Sequence, residues 1–277
     1  MKALLPLLFV ALLLNGCGSG PEAVKPPVRE NLDTKEALYA YAKTFLANQK
    51  YDSAEVYLKK SSVLDAAFRE PVNELAQMYY ALGMQQAGEK NPRRLEQFRK
   101  SLTYYGKLES MGVRESELYE RLGELSNALD DDKSLLKYAR KNAEAFPYDR
   151  QYFNLGFAYF QVADHQSVIK CQKEAIEKFK GSSFIGSFYR QLGRAYLKVD
   201  RDQTAERTFD AGLKATDGVI ADMKRGNPKF ESTADYRRLV DDKIGMLISL
   251  RSLHQTYSAA DKLKAVEKQL KELGYNK

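Results

Sequence analysis

The sequence predicts an all-α protein built from repeated helix pairs, and three observations carry that expectation. From residue 33 onward apolar residues recur with a helical period, and strand-like alternation never persists. Three segments, YERLGELS (119–126), YFNLGFAY (152–159) and YRQLGRAY (189–196), each set an aromatic residue three positions before Leu-Gly. Glycine inside a helix costs about 1 kcal/mol relative to alanine. Its return at one register, as Gly123, Gly156 and Gly193, therefore points to helices that cross closely.

Composition sets the outer bounds. The chain has 277 residues, enough for one large domain or a repeat array, and 44% of them are apolar, enough for a sizeable core. Lys and Arg number 44 against 37 Asp and Glu, a net +7 spread along the chain with no block that reads as a nucleic-acid tail. Two cysteines cannot build a disulfide framework, and two histidines, His165 and His254, cannot supply a zinc cage. No cofactor or metal is expected.

The N-terminus is the first element. Lys2 is a short positive segment, and ALLPLLFVALLL (3–14) is a twelve-residue apolar run. Spanning a hydrocarbon core of about 30 Å takes roughly 20 helical residues, so this run is too short to cross and reads as a secretory signal. It ends in Leu14-Asn15-Gly16-Cys17, which resembles the lipobox of bacterial lipoproteins. In that family the cysteine thiol takes a diacylglyceryl group, the signal is cut before it, and the new N-terminus is acylated. The resemblance implies a signal peptide over 1–16, lipidation at Cys17 and a location in the bacterial cell envelope. An aspartate after the cysteine retains members of that family at the inner membrane. Gly18 stands there in this chain, which implies the outer membrane, facing the periplasm.

Residues 17–32 carry GSGPEAVKPPVREN, rich in Gly and Pro, which reads as a flexible tether. At about 3 Å per residue it would hold a domain some 40 Å from the bilayer. The domain itself is expected over 33–277, with pairs near 35–68, 69–112, 116–149, 149–183 and 186–219 and a degenerate pair over 232–273. The first pair carries Leu38, Ala42, Phe45, Ala54 and Leu58 at matching positions; the second carries Val72, Leu75, Ala76 and Tyr79. GEKNPRR (88–94) delays the second helix of that pair, with Asn91 as N-cap and Pro92 at the first helical position. Tyr152, Leu155, Gly156 and Tyr159 then fall on one helix face, with Tyr196 repeating the last position.

This pattern resembles the tetratricopeptide repeat (TPR), which opens W-x₂-L-G-x₂-Y and continues with A-x₃-F and a late Pro. Tyr119, Tyr152 and Tyr189 stand at the Trp position, Ala205 and Phe209 supply A-x₃-F, and Pro147 is the late proline of the pair near 116. The chain departs from the pattern at Ser126, Leu135, Val168 and Gln172. The resemblance implies a TPR-like α-solenoid of about five or six helix pairs, with the first helix of each pair lining a concave protein-binding groove. Carried over by position, that groove holds Tyr39 and Lys43; Asn73, Gln77 and Tyr80; Glu117, Glu120 and Glu124; Phe153, Phe157 and Phe160; and Arg190, Arg194 and Lys198. The phenylalanines have two readings, packing against neighbouring first helices or an apolar floor for a partner's segment. Arg190 and Arg194 resemble half of a carboxylate clamp, or else form a solvated face or pair with Glu120 or Glu124 across the groove.

No catalytic constellation is found. H-E-x-x-H, G-x-S-x-G and P-loop patterns are missing, and DDD (130–132) and DRD (200–202) fall at turns, where Asp caps the next helix. His165 reads as a solvated turn residue, and Cys171 as a small packing residue. A non-enzymatic scaffold that recruits another envelope protein or peptide segment follows. The alternative is a peptidoglycan-active hydrolase or transglycosylase acting through carboxylates the sequence does not single out.

Overall fold

The computed structural model describes residues 32–275, so the leader, Cys17 and most of the tether lie outside the described residues. Regular structure among the described residues is helical throughout, twelve α-helices and one 3-10 turn. By internal contacts the chain divides into two units, Met1–Pro71 and Val72–Lys277.

In the first unit α1 (Lys35–Ala47) pairs with α2 (Tyr51–Leu64). The Thr34 hydroxyl accepts from the Ala37 amide at 3.1 Å, satisfying one of the free N–H groups at the start of α1. Leu38, Tyr41 and Ala42 from one helix and Ala54 and Leu58 from the other are buried. Tyr41 stands edge-on to Phe45 and Tyr57, with ring centroids 4.9 and 4.7 Å away. The Ser61 hydroxyl donates to the Lys35 carbonyl at 2.7 Å and closes the pair.

The second unit takes in most of α3 (Arg69–Met84), then α4 (Pro92–Ser110), α5 (Ser116–Ala128), α6 (Asp132–Ala145), α7 (Asp149–Gln161), α8 (His165–Lys178), α9 (Ile185–Lys198), α10 (Asp202–Gly226), α11 (Ala234–Thr256) and α12 (Ala260–Glu272). Consecutive helices pair, and each second helix also packs on the first helix of the next pair, as α4 on α5, α6 on α7, α8 on α9 and α10 on α11. Asn91 caps α4 by accepting from the Arg93 amide, and Pro92 occupies its first turn. α10 runs 25 residues where α6 and α8 run 14. Its second half buries Val219 in one cluster with Phe230 and Leu239, so the 3-10 turn Phe230–Ser232 folds back onto α11.

Five of the turns within pairs share one device. Gln49, Asp130, Ala163, Asp200 and Ser258 each adopt positive φ, between 54° and 59°. The next residue donates its amide to the carbonyl five positions back: Lys50 to Phe45, Asp131 to Ser126, Asp164 to Tyr159, Arg201 to Tyr196 and Ala259 to His254, all at 2.9–3.0 Å. This six-to-one bond satisfies a terminal carbonyl and reverses the chain at a fixed angle. The second pair is the exception, with Gly88 at positive φ in a longer loop.

The glycine register divides. A β-carbon on Gly193 would lie 2.3 Å from the Phe209 ring, and one on Gly156 would lie 1.6 Å from Gln172 Nε2, so both crossings are closed to any side chain. At Gly123 the expected close crossing does not occur, since a β-carbon there meets only Leu135 Cδ1 at 3.7 Å. The larger Leu135 stands where the pattern has Ala and props the helices apart. Gly83 forms a further tight crossing, 2.5 Å from the Phe98 ring by the same measure. Its signal was present in the sequence as Tyr79-x-x-Leu82-Gly83, the same aromatic-to-Leu-Gly spacing.

Candidate functional site

Successive first helices touch along one face of the second unit. Tyr80 of α3 lies under the Arg121 guanidinium of α5, 4.5 Å from the ring centroid, and its hydroxyl donates to Glu124 at 3.3 Å. Gln151 of α7 is buried and donates to Ser116 Oγ and Glu120 Oε1 of α5, each at 3.0 Å. Gln191 of α9 donates to the Phe153 carbonyl of α7 at 3.3 Å. Buried glutamines thus stitch first helix to first helix, a role that nothing in the repeat pattern marks.

The α5 face is acidic but largely compensated. Glu124 pairs with Arg121 at 2.8 Å, while Glu120 receives Gln151 and stands 3.9 Å from Arg150. Burial raises the Glu120 carboxyl above its ordinary pKa, partly offset by the Arg150 charge. Glu117 is exposed. Gln77 is exposed and Asn73 half-buried on α3; in the first unit Lys43 is exposed, and Tyr39 lies edge-on to Phe68 at 5.6 Å.

All three phenylalanines of α7 are half-buried, and each has a different neighbour. Phe153 packs on Phe184 beside α9, centroids 5.4 Å apart, as the packing reading anticipated. Phe160 is covered twice, by Arg194 at 4.9 Å and by His165 at 5.0 Å. Phe157 leans on the Leu135, Ala139 and Ala158 cluster. By helical spacing it shares one face of α7 with exposed Arg150 and half-buried Asn154 and Gln161, residues that are not in the repeat pattern.

The cations of α9 do not act alike. Arg190 forms an ion pair with Asp242 of α11, Nε to Oδ1 3.2 Å, rather than with Glu120 or Glu124. It lies flat across Gly245, where a β-carbon would come within 2.7 Å of its Cδ. Asp242 is buried and also accepts from the Ser187 hydroxyl; loss of hydration raises its pKa against the pull of Arg190. The sequence expectation that placed Arg190 in an open groove is therefore corrected, because a buried carboxylate holds it. Arg194 is exposed as a residue, yet one side of its guanidinium is covered by Phe160. That lost hydration, followed by the like charge of Arg190, lowers its pKa below the ordinary arginine value. Lys198, one turn further, is exposed.

Other expectations meet mixed outcomes. His165 is half-buried at the start of α8 against Phe160, so the solvated reading is corrected: the turn projects its ring inward. His254 is buried, 3.2 Å from Glu206. Cys171 is buried and burial pushes its thiol up to about 12, which leaves it inert and packing as expected. Asp131 caps α6 by accepting from the Ser134 amide at 3.0 Å. Asp200 instead takes the positive-φ turn position, and Asp202 accepts from the Tyr257 hydroxyl at 2.5 Å. Tyr152, Leu155 and Tyr159 floor a cavity of about 460 Å³ between α6 and α8, rimmed by Glu144, Lys170 and Glu174. Among the described residues no group of three or more His, Cys, Asp and Glu is placed to hold a metal ion, and no helix is long and apolar enough to cross a membrane.

No family model matches the chain, and no curated protein matches it in sequence. Solved structures do match its fold. YrrB, a TPR protein with an unusual peptide-binding site, superposes with a TM-score of 0.51 at 14% identity, covering 67% of this chain and 88% of its own. The MamA protein superposes with a TM-score of 0.51 at 18% identity, covering 71% of this chain and 95% of its own. At these identities the likeness speaks to architecture alone. The chain has the fold of a TPR-type α-solenoid.

Proposed function

We propose that this chain is a lipid-anchored scaffold of the bacterial envelope, tethered through Cys17, whose first-helix face recruits an extended segment or helix of another envelope protein. One observation carries the binding part. Phe157, half-buried like Phe153 and Phe160, rests on the Leu135–Ala139 cluster beside polar Arg150, Asn154 and Gln161, and among the described residues no aromatic ring or cation stacks on it as on its two neighbours. An apolar anchor ringed by polar groups on a rigid helix is how a groove fixes a partner's side chain. That YrrB, of the same fold, has a peptide-binding site supports the same use of the fold here. The lipobox-like run and Gly18 support the outer membrane, facing the periplasm, as the place of action. Assembly of an envelope or outer-membrane complex is then the role.

A photo-crosslinker at position 157 should trap a partner in cells. Crosslinking only from positions on the opposite, second-helix side would overturn the binding face. Cys17→Ala should release the protein from membranes, and retention of that variant in the membrane fraction would refute the anchor.

A further inference from the structure

The charges along the first-helix face are ordered, and the structure shows which of them are free. α9 carries Arg190, Arg194 and Lys198 and no carboxylate, whereas α5 carries Glu117, Glu120 and Glu124 against the single cation Arg121. Arg190 pairs with Asp242 and Glu124 with Arg121, while Glu120 faces Arg150 at 3.9 Å and accepts a hydrogen bond from Gln151. No ion pair among the described residues engages Arg194 or Lys198, and Glu117 likewise stands exposed with none. α7 lies between these ends and carries one acid, Asp149, one base, Arg150, and the half-buried Phe157. Arg194 is also held in place: seated on the Phe160 ring, its guanidinium is partly stripped of water before any partner arrives. A cation whose desolvation is already met within the fold, beside a second free cation, favours a carboxylate ligand.

We infer that the partner segment is charge-polarised: acidic side chains seat on Arg194 and Lys198, an apolar side chain on Phe157, and a basic side chain beside Glu117. This rests on the reading of the first-helix face as the binding surface. Neighbouring helices sit about 10 Å apart, so α5 to α9 spans roughly 20 Å, or about six residues of extended chain. The segment therefore carries its acidic and basic residues about six positions apart with the apolar residue between them. Because Arg190 is occupied, a lone chain-terminal carboxylate finds only two cations, so an internal acidic stretch is the better fit.

The test is selection of random dodecamer peptides displayed on phage against the full chain in detergent, followed by binding of the enriched peptides to variants. Enriched peptides should carry Asp or Glu at one end, Lys or Arg about six residues away, and an apolar residue between. Arg194→Glu with Lys198→Glu should weaken them about tenfold or more, and exchanging the peptide's acidic residues for Lys should restore binding to that variant. Arg194→Glu also removes the guanidinium from the Phe160 ring, so Lys198→Glu alone, at an exposed side chain, is the control for packing and should give a smaller loss in the same direction. If Asn154→Arg, which obstructs the face beside Phe157 without removing packing, abolishes binding but the charge reversal changes nothing, the binding face stands and the charge polarity is overturned. If nothing enriches, or enriched peptides ignore Asn154→Arg and the charge reversal alike, the binding face itself falls and the polarity with it.

Discussion

A methyl group placed on Gly156 and, separately, on Gly123 separates close packing from helix propensity. Both glycines hold the same place in the aromatic-x₂-Leu-Gly pattern, and both are buried. Replacing a helical glycine by alanine stabilises by up to about 1 kcal/mol where space allows. At Gly123 it does: the new carbon reaches only Leu135 Cδ1, at 3.7 Å. At Gly156 it would fall 1.6 Å from Gln172 Nε2 and 2.3 Å from Gln191 Oε1. Gln172 is wholly buried and cannot swing its amide into water. Displacing it disrupts the bonds from Gln172 Nε2 to the Tyr152 carbonyl at 3.3 Å and to Gln191 Oε1 at 2.9 Å. It also disturbs the bond from Gln191 to the Phe153 carbonyl at 3.3 Å. Three buried bonds at about 1 kcal/mol each, more where a group is left unpaired, outweigh the propensity gain by about 2–4 kcal/mol. For a chain of this size each kcal/mol moves the melting temperature by about 2–4 °C. Thermal melts followed by far-ultraviolet circular dichroism should therefore show Gly123→Ala melting a few degrees higher and Gly156→Ala melting about 5–15 °C lower. Adding Gln172→Ala to Gly156→Ala should cost less than the sum of the two, because the double change makes its own room. Equal shifts for the two glycines, or a gain at Gly156, would refute the packing argument.

Two further predictions concern the turns and the caps. Ala163 sits at φ 57°, a conformation that strains an L residue by about 1–2 kcal/mol, so Ala163→Gly should stabilise by about 0.5–1 kcal/mol in urea unfolding despite the added freedom of the unfolded chain; an unchanged or lower midpoint counts against the strain. Asp164 caps α8, and the hydroxyl and amide of Ser167 hold its carboxyl below the usual range, so its stabilisation is present above the ordinary pKa and lost as pH falls through the lowered one. Asp164→Ala should cost about 1 kcal/mol at neutral pH and almost nothing in acid. Asp242 runs the opposite way. Its folded pKa is raised, so its protonation favours the folded state as pH falls toward the ordinary value, and a carbon-detected NMR titration should place it above Asp164. The reverse order would contradict the burial assigned to Asp242.

The helices and their breaks are legible in the chain's local pattern. Period, caps such as Asn91-Pro92 and the aromatic-Leu-Gly spacing are written within a few residues of each other, and a helix forms and ends on such local terms. It also named a face, since residues three and four apart share one. Which members of that face are engaged depends on contacts between helices. Arg190 was expected in an open groove, but Asp242, far along the chain, neutralises it. Gly156 closes against two glutamines from other helices, while Gly123, identical in local pattern, meets a leucine with room to spare. Phe153 and Phe160 meet Phe184, Arg194 and His165, whereas Phe157, equally half-buried, rests on Leu135 and Ala139 of α6. Each outcome depends on side chains from another helix arriving within a few ångströms, and no local period encodes that meeting.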